Sequence, residues 1–147
     1  RLAFAPGPAV TLRPPVWLRL PFEIEAADGA DLKEGFYPPE QGYRWTFRTA
    51  SIRFPLAKDF AGRAPVRIRV EASTYPGRPA RLLLNGRPVG TLDHLWKSAA
   101  EFVVGREWFR PGEENRVGFE VPDAGPMGTD YRQLGLRFER LRVEAVE

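Results

Sequence analysis

The sequence predicts an all-β fold, an antiparallel β-sandwich of about eight strands with jelly-roll topology. Apolar and polar residues alternate over many short segments, which is the period of a half-buried strand. Fourteen glycines and fifteen prolines among 147 residues supply frequent turns. These turns recur about every 8 to 12 residues, a spacing typical of a sandwich. No segment has the period of a long amphipathic helix.

A proline-rich start precedes the first strand. Residues 1–15 contain Pro-Gly-Pro and Pro-Pro sequences, which exclude a helix and predict a linker or N-terminal arm. Residues 16–147 are predicted to form a single domain. Apolar residues alternate from Val16 to Ile24, which predicts the first strand. A long polar connection from Ala26 to Gln41 follows, and loops of this length are often functional.

The middle of the chain predicts two further strands. Trp45 and Phe47 are placed on the inward face, and the alternation resumes at Ala50 after a slip of one residue. A bulge or a strand break explains such a slip. The segment from Val66 to Ala72 shows the cleanest alternation and predicts a central strand. Trp45 is therefore expected in the core.

The second half of the chain predicts a hairpin and three more strands. Asn85-Gly86 is a strong hairpin signal, because both turn residues tolerate positive φ. Strands are predicted from Ala100 to Val104 and around Phe119. The last strand runs from Leu134 to Val143, again with one slip of register.

Composition excludes several classes of function. The net charge is +3, but the arginines alternate with apolar residues instead of forming one patch, so no nucleic-acid partner is predicted. The absence of cysteine excludes disulfides, thiol catalysis and thiolate metal sites. Apolar runs are too short to cross a bilayer, so no membrane insertion by this segment is predicted. A start at Arg1 leads us to expect a piece of a longer protein.

Part of the sequence resembles a known fold family. The matching segments are Leu82 to Gly90, Phe102 to Val104 and Pro111 to Val117. They resemble the galactose-binding-like jelly rolls that occur as carbohydrate-binding modules beside glycoside hydrolases. This resemblance implies the eight-stranded fold and assigns no catalytic residue.

A second resemblance covers two shorter regions. The first contains Gly35-Phe36-Tyr37, Glu40 and Arg44-Trp45-Thr46, and the second contains Asp130-Tyr131-Arg132. Together they are similar to uncharacterised β-domains attached to bacterial membrane proteins of the glycosyltransferase type. The resemblance implies an extracytoplasmic setting, periplasmic or at the cell surface.

Acids, arginines and aromatic residues in the irregular loops form the candidate site. In a structural interpretation, the acids pair with the arginines and tie the long loop to the last strand. In a binding interpretation, the same groups hydrogen-bond sugar hydroxyls while a tyrosine stacks on a pyranose ring. The candidate ligand-binding residues are Tyr37, Glu40, Arg44, Trp96, Asp130, Tyr131 and Arg132.

No catalytic residue, cofactor or metal is predicted. Glu40 and Asp130 are not expected to act as the acid pair of a glycosidase, because neighbouring arginines favour the ionised form of both, whereas a general acid must be protonated. His94 is the single histidine, so it lacks the partners of a triad or a multi-histidine metal site. A calcium brace at Asp28, Asp31 and Glu34 is an alternative, but their spacing favours a solvated loop.

Two hypotheses for function remain open. The first is a non-catalytic accessory domain of a larger cell-envelope protein that binds or positions carbohydrate, with a glycan as its partner. The alternative is a structural or protein-interaction domain that packs on a neighbouring part of a membrane protein or self-associates through edge strands. Outward-facing Trp17 motivates this alternative.

Overall fold

A computed structural model describes residues 17–28, 33–60, 62–93 and 98–146. The predicted linker, His94 and Trp96 lie outside these ranges. The described chain is almost entirely β, with two short 3-10 turns at Lys58–Phe60 and Arg106–Trp108. Its strands are β1 (Phe22–Glu25), β2 (Lys33–Phe36), β3 (Arg44–Pro55), β4 (Val66–Ser73), β5 (Ala80–Leu84), β6 (Arg87–Leu92), β7 (Ser98–Val104), β8 (Glu114–Glu120), β9 (Gly125–Met127), β10 (Asp130–Leu134) and β11 (Arg137–Ala145).

Nine of these strands form one antiparallel sheet that folds back on itself. The order is β6-β5-β8-β3-β11-β4-β7, while β1 pairs with β11 and β2 pairs with β3. We call β1, β11, β4 and β7 the β11 layer, and β2, β3, β8, β5 and β6 the β8 layer. Strands β9 and β10 form a separate two-stranded ribbon. This arrangement confirms the predicted antiparallel jelly roll, with short additional strands bringing the number to eleven.

The core lies between the two layers. Rings from different strands meet there: the Phe22 and Phe54 centroids are 5.3 Å apart, and those of Phe119 and Phe138 are 5.9 Å apart. Most of the apolar residues predicted to face inward belong to this buried cluster. Burial of each such large side chain stabilises the fold by about 1.5–3 kcal/mol, so alternation is the main determinant of the sandwich.

Strand β3 corrects one prediction. Trp45 and Phe47 do not face the core, and Phe47 is 42% exposed. Arg44 and Thr46 are buried instead, in the same alternation as Ala50, so the predicted slip does not occur. The polar residue is accommodated because the Leu136 N–H donates to the Thr46 hydroxyl at 2.8 Å. Because its hydroxyl is hydrogen-bonded, Thr46 can face the core, although the apolar pattern favours placing the neighbouring tryptophan there.

The first connections also differ from prediction. The strand expected from Val16 begins at Phe22, preceded by a parallel bridge between Leu18 and Leu56; Val16 itself lies outside the described residues. The expected loop from Ala26 to Gln41 contains β2. At Gly35 in β2, φ is +76° and a Cβ would lie 2.2 Å from the Thr49 carbonyl oxygen. Glycine thus allows β2 to approach β3 closely.

The later elements are confirmed. Asn85 and Gly86 have φ of 50° and 82° and join β5 to β6 in the predicted hairpin. The register of β11 against β4 shifts between Phe138 and Arg140. This bulge accounts for the slip in the apolar pattern of the last strand.

Two asparagines connect the β5–β6 hairpin to the turn before β8. Asn115 is fully buried, and its carboxamide oxygen accepts from the Asn85 side chain at 2.9 Å and the Arg110 N–H at 2.8 Å. Its amide group donates to the carbonyls of Arg110 and Glu113 at 2.9 and 3.1 Å. A single buried side chain thus forms four hydrogen bonds where the loops meet, and among the described residues it supplies the one acceptor of the Arg110 N–H.

We expect Asn115→Ala to lower the free energy of unfolding by roughly 3 kcal/mol, because it removes four hydrogen bonds at a fully buried position and leaves the Arg110 N–H without its acceptor. Chemical denaturation followed by tryptophan fluorescence measures the change. Arg110→Ala is the matched control, since it removes an exposed side chain from the same turn and should change stability by less than about 0.5 kcal/mol. Equal stability of the two variants would contradict the assigned role of Asn115.

Candidate functional site

An aromatic cleft of about 200 Å³ opens where β3, β11 and β4 lie side by side. Trp45 pairs with Arg137 across the β3–β11 edge, and Arg137 pairs with Ser73 across the β11–β4 edge. Cross-strand partners project from the same face of a sheet, so these side chains form a row. The residues that line this cleft are Tyr43, Trp45, Ser73, Thr74, Tyr75, Met127 and Arg137.

Arg137 and two aromatic rings form one side of the cleft. The guanidinium carbon of Arg137 lies 3.8 Å from the Tyr43 ring centroid, within the range of a cation–π contact. The rings of Tyr43 and Trp45 meet edge to face, with centroids 6.4 Å apart and planes at 85°. The Nε of Arg137 is buried and has no hydrogen-bond partner among the described residues. The stack therefore holds a guanidinium with one nitrogen that the described residues leave without a partner.

Arg78 does not line the cleft but contacts elements that do. Its Nη1 donates to the Gly125 carbonyl and its Nη2 to the Pro126 carbonyl, both at 2.7 Å. The guanidinium carbon also lies 5.2 Å from the centroid of the Tyr75 ring. These contacts hold β9, which carries Met127, beside Tyr75. Aromatic rings, hydroxyl groups and a guanidinium are the groups that recognise polar ring-shaped ligands.

Four of the residues predicted for the site lie together elsewhere. Arg132 Nη2 donates to Asp130 at 2.7 Å, and Arg132 Nη1 lies 3.5 Å from the Glu40 carboxylate. The Arg132 guanidinium carbon lies 5.2 Å from the Tyr37 ring centroid, and the Tyr37 hydroxyl accepts the Gln133 N–H at 2.9 Å. We call Tyr37, Glu40, Asp130 and Arg132 the Arg132 cluster. It ties the loop after β2 to β10, whereas the structural interpretation placed this loop against the last strand and included Arg44 in the network.

Arg44 does not join these acids. Its side chain is buried, its Nε donates to the Tyr37 carbonyl at 2.8 Å, and its guanidinium carbon lies 5.7 Å from the Phe36 ring centroid. Burial lowers the pKa of Arg44. Arg44 lies on the side of β3 that faces inward, away from the surface. The predicted pairing with Glu40 or Asp130 is therefore wrong.

Of the other two candidate residues, one is exposed to solvent and one lies outside the described residues. Tyr131 is 84% exposed, and Trp96 lies outside the described residues. The Arg132 cluster does not line the aromatic cleft, and its use in sugar binding stays a prediction. Tyr43 and Tyr75 were missed because each adjoins a turn. If the alternation of inward and outward residues around Ala50 is continued back to Arg44 without a slip, Trp45 falls on the outward face of the strand.

A lysine occupies the region considered for calcium. Lys33 is buried, and its ammonium donates to the Glu25 carbonyl at 3.0 Å and to the Asp28 carbonyl. These bonds bring a positive charge to main-chain oxygens at the turn after β1. Asp31 lies outside the described residues. In the described ranges, no group of three or more His, Cys, Asp or Glu is placed to hold a metal ion.

The fold, but not the sequence, is shared with known proteins. No protein-family model matches the chain, and no curated protein matches it. The C-terminal family 6 carbohydrate-binding module of LamC, a marine laminarinase from Zobellia galactanivorans, is 12% identical. The match covers 84% of this chain and 98% of that module, with a TM-score of 0.54. The chain has the jelly-roll fold of carbohydrate-binding modules.

Two further structures extend the likeness. A family 35 carbohydrate-binding module from Clostridium thermocellum is 15% identical over 86% of this chain and 98% of its own, with a TM-score of 0.51. A ruminal GH26 endo-β-1,4-mannanase is 14% identical, and the match covers 90% of this chain but 27% of the mannanase, with a TM-score of 0.51. At such identities the likeness concerns the fold, and the predicted galactose-binding-like jelly roll is confirmed at that level.

The described part of the jelly roll contains no helix long and apolar enough to cross a membrane. The two 3-10 turns span three residues each.

Within the Arg132 cluster, hydrogen bonds from Arg132 lower the pKa of Asp130 below its usual range, and the same bonds raise the pKa of Arg132. Because the folded pKa of Asp130 is depressed, its ion pair is present above the usual aspartate range. The pair is lost as pH falls through the lowered value. We expect Arg132→Gln to move the Asp130 midpoint upwards, measured by NMR titration of the carboxyl carbon. Arg63→Gln, at an exposed position, is the control; an unchanged Asp130 midpoint in Arg132→Gln would contradict the pairing.

Proposed function

We propose that this jelly roll is a non-catalytic domain that binds carbohydrate in the aromatic cleft. The observation that carries the proposal is the convergence of Tyr43, Trp45 and Tyr75 with Arg137 in one cleft. The fold likeness to two carbohydrate-binding modules supports it. A cleft of about 200 Å³ has room for a short portion of a glycan, and the remainder would extend into solvent.

The chemistry of the cleft suits a sugar ring. The C–H faces of a pyranose pack on aromatic faces, and its hydroxyls accept from a guanidinium or exchange hydrogen bonds with serine and threonine. Trp45 and Tyr43 supply the rings, Arg137 supplies donors, and Ser73 and Thr74 lie at the base. Trp45 and Arg137 are anchored in strands and Arg78 clamps β9, so the site is held in shape before binding.

Away from the cleft, the outer face of the β11 layer has a different character. Arg140 donates to Glu25 and Glu71, each at 3.0 Å. Arg142 donates to Glu23 at 2.8 Å and to Glu144 at 3.0 Å. The arginines on this part of the face are therefore paired with carboxylates, whereas Arg137 in the cleft packs on the Tyr43 ring and forms no ion pair with a described residue. This contrast favours the cleft as the site of ligand binding.

We further propose that the domain is an accessory part of a larger cell-envelope protein, outside the cytoplasm. The match to 27% of a ruminal mannanase supports the accessory role, because there a similar fold is one part of a longer chain. The sequence resemblance at Gly35 to Thr46 and Asp130 to Arg132 supports attachment to a membrane protein of the glycosyltransferase type. Partner domains in that protein would be positioned near glycan by the aromatic cleft.

We expect Trp45→Ala to weaken binding of a neutral β-glucan, β-mannan or xylan about tenfold or more, because a buried aromatic contact at a binding centre contributes about 1.4 kcal/mol or more. Affinity gel electrophoresis identifies which polysaccharide binds, and titration calorimetry with its oligosaccharides measures Kd.

Trp17→Ala is the matched control, since Trp17 is 46% exposed and lies outside the cleft. It should bind as the parent protein does. Binding that survives Trp45→Ala unchanged, or the absence of binding to every neutral polysaccharide tested, would refute the aromatic cleft as a carbohydrate site.

A second candidate function rests on exposed apolar residues. Trp17 is 46% exposed and Val103, on edge strand β7, is 57% exposed. Exposed edges and apolar side chains favour contact with another chain. If the domain self-associates there, sedimentation velocity should show dimers that Val103→Lys abolishes. Tyr131→Lys, at a residue 84% exposed outside β7, is the control, and a monomer at all concentrations would contradict self-association.

A further inference from the structure

A second concave surface lies on the outer face of the β8 layer. It is a groove of about 530 Å³ that follows β3, and it shares no lining residue with the aromatic cleft. We call it the arginine groove. Its lining residues are Glu34, Gly35, Phe47, Arg48, Thr49, Ala50, Ser51 and Arg116.

Small residues form the floor of this groove. Ser51 pairs with Glu34 on one side and with Gly118 on the other. Gly118 carries no side chain, and the neighbouring Gly35 must be glycine because a Cβ there would lie 2.2 Å from a carbonyl oxygen. The short side chains leave a depression along the middle of the sheet, because the side chains at its margins are longer.

The described residues do not balance the charge of the groove. Arg48 and Arg116 are exposed, and neither side chain forms an ion pair with any residue in the described ranges. Neighbouring arginines differ from them. Arg53 lies 3.7 Å from both Glu34 and Glu114, and another arginine on this face also has a carboxylate partner. The one acid in the groove thus already faces a cation, which leaves the groove with excess positive charge.

We propose that the arginine groove binds an acidic polysaccharide. Arginine pairs in bidentate fashion with carboxylate and sulfate groups, and in the described ranges Arg48 and Arg116 have no ion-pair partner that would compete with such a ligand. The hydroxyl groups of Thr49 and Ser51 would hydrogen-bond the uncharged hydroxyls of a sugar. The exposed Phe47 would offer an aromatic face to the sugar ring. The groove thus recognises a chain in which negative groups are separated by neutral sugar surface.

The density of charge favours a glycan over a nucleic acid. A nucleic-acid backbone carries one phosphate per nucleotide and is bound by surfaces with many clustered basic groups. The arginine groove has two arginines without an ion pair to a described residue, and it also contains the carboxylate of Glu34. A polymer with sparse acidic groups matches this pattern better. The site adds to the proposed function and does not depend on the aromatic cleft.

The test measures binding of the intact chain to immobilised polygalacturonate, dextran sulfate, neutral dextran and poly(dT) at low salt. We expect binding to polygalacturonate or dextran sulfate, and the preferred polymer identifies carboxylate or sulfate as the ligand group. Arg48→Gln/Arg116→Gln should weaken that binding about tenfold or more, because two charge-assisted contacts are lost. Raising the ionic strength should also weaken binding of the polymer to the parent protein, because salt screens the charged contacts.

Arg67→Gln/Arg69→Gln is the matched control, since it removes the same charge from paired arginines in the β11 layer. It should retain binding, as should Trp45→Ala, which separates this site from the aromatic cleft. The proposal is overturned by equal binding of parent and Arg48→Gln/Arg116→Gln, by preference for poly(dT), or by no binding to either acidic polysaccharide. Loss of acidic-polymer binding in Trp45→Ala alone would place that ligand in the aromatic cleft and overturn the proposal as well.

Discussion

The hydrogen bonds of Thr46 hold the point at which β3 passes from one layer of the sandwich to the other. The Thr46 N–H donates to the Leu136 carbonyl at 2.8 Å, its carbonyl accepts from Gly135 at 2.8 Å, and its hydroxyl accepts from Leu136. A Cβ on Gly135 would lie 2.6 Å from both the Thr46 hydroxyl and the Phe47 carbonyl oxygen. This close approach lets β3 pair first with β11 and then with β8, and so joins the layers.

The orientation of Thr46 determines what β3 presents to solvent. Because Arg44 and Thr46 face inward, Trp45 and Phe47 face outward. Trp45 lies in the aromatic cleft, while Phe47 borders the arginine groove and Ser51 lies at its floor. Both proposed surfaces therefore depend on which residues of β3 face outward. A register slip of one residue would bury the two aromatic rings and expose the polar side chains.

The sequence predicted the fold better than the site. Alternation and the Asn85-Gly86 turn correctly indicated β-strands, because burial of apolar side chains has the period of the strand. The same rule failed at Trp45, where the hydroxyl of Thr46 finds a main-chain partner that only tertiary structure supplies. The Arg132 cluster was predicted in part, since acids and arginines pair when loops meet. The aromatic cleft depends on strands that are distant in sequence, so local patterns did not reveal it.

The ladder of arginines and glutamates on the β11 layer also determines how the surface responds to its surroundings. Of the 22 basic residues, 19 are arginines and three are lysines, and arginine keeps its proton in alkaline water. Arg142 and Arg67 lower the pKa of Glu144, so this carboxylate stays ionised further into the acid range. Glu144 consequently keeps its ion pairs with Arg67 and Arg142 as pH falls below the usual range of a glutamate. At this point between β4 and β11, dissolved ions weaken the electrostatic contact under conditions in which added protons leave it intact.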